Sequence, residues 1–222
     1  MATRGPKRTL TVEKVAATAL QLLDDEGPAA LSVRGVAAAL AVRPNAIYTY
    51  VPDRAGLERA VIELVLSQSQ LELLEGPARH WRKRIRDYAV SLRALLLDHP
   101  GAAMLMMSAP MDSPSALEVG ERLLGVLADA GLSPTARARG VWLLIVQVVG
   151  SVALDVAETD GRRPLPPEAE RVVARRQALS QLDAEVWPRS VAAVDVQASW
   201  VTSEQFVWSI DRVLDGLAAA AR

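Results

Sequence analysis

The chain has 222 residues, of which half are apolar and 23% are charged, so it can bury one large hydrophobic core or two smaller ones. It contains no cysteine, which excludes disulfides, thiolate metal sites and cysteine nucleophiles. Its formal net charge of −1 excludes a protein that coats nucleic acid through overall charge, so any DNA contact must come from a local patch.

The N-terminus is locally basic. Arg4, Lys7 and Arg8 lie in a segment without acidic residues, and no apolar stretch follows, which is unlike a signal peptide. We interpret residues 1–8 as a flexible basic arm. Residues 1–56 hold seven Lys/Arg against five Asp/Glu, a net charge of +2 that leaves −3 for the remainder. This asymmetry has the sign that DNA binding at the N-terminus requires.

Helical periodicity runs along the whole chain and predicts an all-α fold without strands. Thr11, Ser32 and Asp53 each precede an apolar helical pattern and are expected to cap a helix, and Gly27-Pro28 is expected to end the first one. In the N-terminal part we predict helices over residues 11–26, 32–40, 43–50 and 53–75.

The rest of the chain predicts six more helices, which makes nine or ten in total. They cover residues 79–98, 102–109, 115–130, 133–158, 168–183 and 202–221. Residues 159–167, TDGRRPLPP, are predicted to form a loop, and residues 184–201 an irregular segment. The apolar run 141–157 is barely long enough to span a bilayer and contains Gln147 and Asp155, so we interpret it as a buried or interfacial helix and expect no membrane partner.

Residues 31–51, LSVRGVAAALAVRPNAIYTYV, predict a helix-turn-helix. Ala37 and Ala38 are small enough to let two short helices cross closely. The second helix is short and polar, and Arg43, Pro44 and Asn45 lie at its N-terminal end, where a recognition helix meets base edges. An alternative is a structural three-helix cap without DNA contacts.

Other side chains of this segment suit the DNA backbone. The hydroxyls of Tyr48, Thr49 and Tyr50 lie one turn further along and fit phosphates better than bases. Ser32, at a helix N-terminus, can direct backbone N–H groups at a phosphate. Arg34 can reach either the groove or the backbone.

The block from Leu31 to Leu57 resembles the DNA-binding domain of the TetR (tetracycline repressor) family. It has a Ser cap, Val-Ala-x-x-Leu-x-Val, Ile-Tyr-x-Tyr-Val and a charged turn before Leu57. The resemblance implies a two-domain protein, with the helix-turn-helix domain in residues 1–56 and a helical ligand-binding and dimerisation domain in residues 57–222. It also implies base contacts by Arg34, Arg43, Pro44 and Asn45, and backbone contacts by Ser32, Tyr48, Thr49, Tyr50 and Arg54. The turn departs from the pattern by reading Pro52-Asp53-Arg54, which leaves Arg54 as its cation.

A helix-turn-helix reads few base pairs, so the protein is expected to bind a palindromic operator as a homodimer. The two most apolar late helices are the candidates for a four-helix interface, and their apolar faces are an alternative part of the internal core. The predicted interface residues are Val141, Leu144, Val148, Ser151, Val152, Phe206, Ile210 and Leu214.

The C-terminal part also suggests a ligand cavity. Methionines cluster between residues 104 and 111, and such side chains suit adaptable apolar surfaces as well as ordinary cores. We predict ligand contacts from His99, Met106, Trp142, Gln147 and Asp155.

This half is similar to tetracycline repressors, in which a histidine at the position of His99 ligates drug-bound magnesium and an acidic residue near that of Asp155 holds a metal-bound water. Here Ser67-Gln68-Ser69 and Gln147 stand where further histidines are expected. We therefore predict a different small-molecule ligand and no metal or cofactor. Ending a helix before Pro100 is the alternative role for His99.

We predict a cytoplasmic transcriptional repressor that a small molecule releases from its operator. A ligand-independent or activating regulator is the alternative within the same class. An all-α enzyme is a further alternative, but the chain has only two histidines and none of the motifs HExxH, GxSxG or a phosphate loop.

Overall fold

The computed structural model describes residues 10–108 and 110–221. Within these ranges the chain forms twelve α-helices, three short 3-10 helices and no strand, which confirms the predicted all-α fold. Two of the twelve are five-residue helices inside the segment predicted to be irregular, which accounts for the higher number. The predicted basic arm lies outside the described residues.

The N-terminal helices begin where their capping residues predict. They are α1 (Val12–Glu26), α2 (Val33–Ala39), α3 (Pro44–Ile47) and α4 (Arg54–Leu66). Thr11, Ser32 and Asp53 each accept a hydrogen bond from the backbone N–H three residues later, at 3.2, 3.0 and 2.7 Å. Gly27 ends α1 with φ +85°, a conformation that glycine adopts without steric cost.

The predicted continuation of α4 to Glu75 is wrong. The helix ends at Leu66, and a separate 3-10 helix covers Leu71–Leu74. At the break, the side chains of Ser67 and Gln68 both donate to the carbonyl of Leu64, at 2.7 and 3.2 Å. These local bonds occupy a carbonyl that the next turn of helix would use, which outweighs the apolar spacing of the following leucines.

The remaining helices form the C-terminal part of the fold. They are α5 (Trp81–Asp98), α6 (Pro100–Met106), α7 (Pro114–Asp129), α8 (Pro134–Ala157), α9 (Glu168–Leu179), α10 (Pro188–Ala192), α11 (Val194–Ala198) and α12 (Ser203–Ala220). The other 3-10 helices are Ala78–His80 and Ser199–Val201.

Helix α8 is the centre of this part and packs against α5, α6, α7 and α12. Among the described helices it alone has the length and composition to cross a membrane, yet 44% of its most apolar window is buried against other helices. Its buried face includes the carboxylate of Asp155. This burial favours a core helix, as the sequence indicates.

Helices α1 and α4 pack on each other and join the N-terminal helices to the rest. Helix α6 contacts both of them. Gly101 of α6 lies so close to Leu23 of α1 that an added Cβ would meet the Leu23 side chain at 2.5 Å, so only glycine fits at this crossing.

Candidate DNA-binding surface and ligand cavity

Helices α2 and α3 form a compact helix-turn-helix. Val36, Ala37 and Ile47 are fully buried between them. The turn is closed by a 2.9 Å hydrogen bond from the amide of Val42 to the carbonyl of Ala37, and Ala41 adopts a left-handed conformation with φ +54°. Ala37 is buried at the crossing, as the sequence predicts, whereas Ala38 is exposed and does not take part in it.

The residues predicted to read bases are available to a partner. Arg34 on α2 and Arg43, Pro44 and Asn45 at the start of α3 are exposed. Arg43 is the N-cap position but makes no side-chain capping bond, so its guanidinium is not used to stabilise the helix. The N-terminal end of α3 thus presents a cation, a ring and an amide side by side.

The residues predicted to contact phosphates fall into two groups. Tyr48, Thr49 and Arg54 are exposed, and Arg54 forms an exposed ion pair with Glu58 at 2.8 Å. Tyr50 is half-buried against the core, and the Ser32 hydroxyl is occupied as the α2 cap. Because the Ser32 hydroxyl is occupied by this capping bond, the groups available to a phosphate here are the backbone amides of the first turn of α2.

An apolar cavity of about 260 Å³ lies among α4, α5, α6, α7 and α8. Its walls include Leu66 of α4, Ile85, Tyr88 and Ala89 of α5, and Val148 of α8. The volume is near the lower end of the range of roughly 300–1,000 Å³ of small-molecule sites. Because Leu66 belongs to the helix that packs on α1, a molecule in this cavity contacts the element that carries the N-terminal helices.

Of the predicted ligand residues, Met106 lines the cavity, together with Met111 from the same methionine cluster. The other four predicted residues do not line this cavity. Trp142 is 66% exposed, and Gln147 and Asp155 both line an open groove between α8 and α12. Asp155 also forms an ion pair with Arg93, and His99 pairs with Asp24.

Asp155 is a buried structural anion. Arg93 of α5 donates to its Oδ2 at 2.7 Å, and Arg171 of α9 lies 3.6 Å from the same atom. Burial raises the pKa of Asp155, and the two guanidiniums oppose that rise. The group ties α5, α8 and α9 together.

His99 joins the two parts of the chain. Its Nδ1 lies 2.8 Å from Oδ2 of Asp24, the buried carboxylate near the end of α1. The residue separates α5 from α6, but its side chain makes no capping bond, so the predicted helix end is made by the backbone alone.

The two faces predicted to form the interface, or alternatively part of the internal core, are mostly buried in the single chain. Seven of the eight residues are buried inside the single chain, so they are core and not free to meet a partner: Val141, Leu144, Val148, Val152, Phe206, Ile210 and Leu214. Ser151 is half-buried. Helix α8 is apolar on more than one side, so helical spacing alone does not tell which side faces the core.

A different face of α8 is exposed and apolar. Its side chains recur at helical spacing, with Trp142 at 66%, Leu143 at 45%, Val146 at 47% and Leu154 at 72% exposure. On α12, which packs against α8, Trp208 is 58% exposed. We call this surface the tryptophan face. An exposed apolar patch of this kind is typical of a subunit interface.

Sequence reasoning missed the α5 wall of the cavity. Ile85, Tyr88, Ala89 and Leu92 follow the spacing of one helix face, but every core helix shows that pattern, so nothing marked them as cavity residues. A tyrosine in an otherwise aliphatic stripe was the one signal available.

A small helical domain with an exposed recognition helix, joined to a larger helical domain with an apolar cavity, defines the class of ligand-responsive transcriptional regulators. Residues 75–221 match the model of the tetracyclin repressor-like C-terminal domain. This covers more than half of the chain, and the protein therefore belongs to the tetracycline repressor (TetR) family.

Several characterised proteins are similar to this chain over most of its length. The HTH-type transcriptional repressor DrrR1 of Streptomyces coeruleorubidus is 29% identical over 96% of this chain and 79% of its own length. The class C tetracycline repressor protein of Escherichia coli is 27% identical over 77% of this chain and 80% of its own. ActR of Streptomyces coelicolor, solved in complex with actinorhodin, superimposes with a TM-score of 0.81 at 25% identity, covering 96% of this chain and 99% of ActR.

Proposed function

We propose that this protein is a homodimeric repressor that binds a palindromic operator and leaves it when a small molecule enters the cavity. The observation that carries the proposal is the position of α4. Leu66 of α4 lines the cavity, and the same helix packs on α1 and begins three residues after Val51 of the helix-turn-helix domain. Helix α4 therefore couples occupancy of the cavity to the position of the recognition helix.

The DNA contacts are assigned from exposure and position. Arg43 and Asn45 at the N-terminal end of α3 are exposed, which suits hydrogen bonds to base edges in the major groove. Arg54 at the start of α4 is exposed and suits a phosphate. Its ion pair with Glu58 is a surface pair, worth at most about 1 kcal/mol, and is easily exchanged for a phosphate contact.

The tryptophan face supplies the dimer contact. In a two-fold interface the same patch meets its own copy, and an apolar face on two adjacent helices produces a four-helix arrangement. Gly150 follows Val146 and precedes Leu154 at helical spacing, so it lies on this face and is small enough for close approach of two α8 helices. A dimer places two copies of α3 on one DNA duplex.

Release follows from a change in the separation of the two recognition helices. A ligand that moves α4 moves α3 with it, and a shift of a few ångströms takes one half-site out of register. Coupling free energies of such systems are about 1–3 kcal/mol. ActR, which has been solved with actinorhodin bound, and the class C tetracycline repressor are the relatives that support a small-molecule effector. A cytoplasmic location is the one in which such a regulator meets DNA.

The proposal is tested by retrieval of DNA. The purified chain is incubated with fragmented genomic DNA, and the retained fragments are sequenced. We expect a short palindromic sequence to be enriched and its affinity to fall steeply with salt concentration. Retention of random fragments only, or of none at low salt, contradicts the proposal. Asn45→Ala is the matched variant, expected to retain DNA without enriching that sequence.

A further inference from the structure

The walls of the cavity are almost free of polar atoms. Among the described residues that line it, only Tyr88 and Glu121 bring polar side-chain groups, and the others are aliphatic side chains, methionines or glycine. None of these lining residues is a lysine, arginine or histidine. An anion placed here would lose its hydration without gaining a cation, which is strongly unfavourable.

The carboxylate of Glu121 adds to this discrimination. Glu121 is exposed at the edge of the cavity, where its negative charge repels an incoming anion. A metal chelate is disfavoured for a related reason. The described residues contain no group of three or more His, Asp or Glu that could hold a metal ion, and His99 and Asp155 are held in ion pairs away from the cavity.

Tyr88 supplies the one buried polar group in these walls. The residue is 2% exposed, and among the described residues its hydroxyl has no hydrogen-bond partner. The nearby hydroxyl of Ser69 lowers the pKa of Tyr88 and so opposes the effect of burial. Ser69 too lacks a hydrogen-bond partner of normal geometry. Burial raises the pKa of Tyr88 to about 12, so that at neutral pH the group is a protonated donor and acceptor.

Although Tyr88 lines the cavity, its hydroxyl has almost no accessible surface, so it offers a molecule inside no polar partner. We propose, resting on the proposed function, that the cavity binds an uncharged, largely apolar molecule. Anions and metal chelates are rejected.

The charge preference is tested with two fluorescent probes that share one ring system. N-phenyl-1-naphthylamine is neutral, and 8-anilinonaphthalene-1-sulfonate carries an added sulfonate. We expect the full chain to bind the neutral probe at least about tenfold more tightly, because the sulfonate has no cation to meet. Equal or tighter binding of the sulfonate at this cavity overturns the proposal.

The two proposals fail in different ways. If the sulfonate binds as well as the neutral probe and Ala89→Leu abolishes both, the cavity binds ligands and only the proposed ligand class is wrong. If the folded protein binds neither probe, the ligand site itself is contradicted, and the proposed function fails with it.

Discussion

The imidazole of His99 and the carboxylate of Asp24 form a 2.8 Å contact between the α5–α6 junction and the end of α1. Asp24 is 4% exposed, and its second oxygen has no partner among the described residues. Its backbone carbonyl also accepts a 2.8 Å hydrogen bond from Arg163 in the loop that follows α8. Asp24 therefore fastens α1 to two separate parts of the ligand-binding region.

His99→Ala is expected to lower the free energy of unfolding by about 1–3 kcal/mol, because it leaves the buried carboxylate of Asp24 without its side-chain partner. Urea denaturation measures the change. His80→Ala is the matched control, since His80 is exposed, and it should alter the free energy of unfolding by less than about 0.5 kcal/mol. Equal effects of the two variants would mean that the His99–Asp24 contact contributes nothing to stability.

Trp142→Arg is expected to prevent the proposed dimer from forming, because it places a charge on the tryptophan face. Loss of the second half-site should weaken operator binding by about 10²–10⁴-fold. Analytical ultracentrifugation and operator titration measure the two effects. Trp187→Arg is the control, at a tryptophan with a similar exposure of 56% that lies outside α8 and α12. A Trp142→Arg protein that remains dimeric shows that this face is not the interface.

Ala89→Leu is expected to give a repressor that binds operator but no longer responds to ligand. The isobutyl side chain of leucine occupies the cavity, so binding of N-phenyl-1-naphthylamine should be lost while the free energy of unfolding stays the same or rises by up to about 2 kcal/mol. Ala94→Leu makes the same change on an exposed position of α5 and should bind the probe normally. Normal probe binding by Ala89→Leu would place the ligand outside this cavity.

Arg43→Ala and Asn45→Ala are each expected to cost about 1–3 kcal/mol of operator binding and to relax the choice of base, whereas Arg54→Ala should weaken all sequences alike and reduce the salt slope by about 1. Fluorescence anisotropy with the operator and single-base variants separates these patterns. Arg176→Ala on α9, exposed and paired with Asp195, should leave binding unchanged. Operator binding by Asn45→Ala that matches wild type contradicts the placement of the recognition helix.

Capping residues were sufficient to predict where four of the helices begin. The caps Thr11, Ser32, Asp53 and Ser133 all accept a hydrogen bond from the expected backbone amide. The end of α4 was not predictable from apolar spacing, because competing bonds to the Leu64 carbonyl decide it.

Side-chain function depended on long-range packing and was harder to predict. Helix α8 is apolar on two sides, and the positions of α5, α6, α7 and α12 determine which side is buried. The same packing brings Tyr88 of α5 to the cavity and takes Asp155 away from it into an ion pair with Arg93. These contacts join residues far apart in the sequence, so they cannot be predicted from the periodicity of a single helix.

The central claim is that Arg43, Pro44 and Asn45 meet a DNA groove twice in each functional molecule. Hydroxyl-radical footprinting of the retrieved operator tests it most directly. We expect two protected patches related by two-fold symmetry, with centres separated by about 10–10.5 base pairs or a multiple of that spacing. A single protected patch, or two patches in the same orientation, would contradict the account.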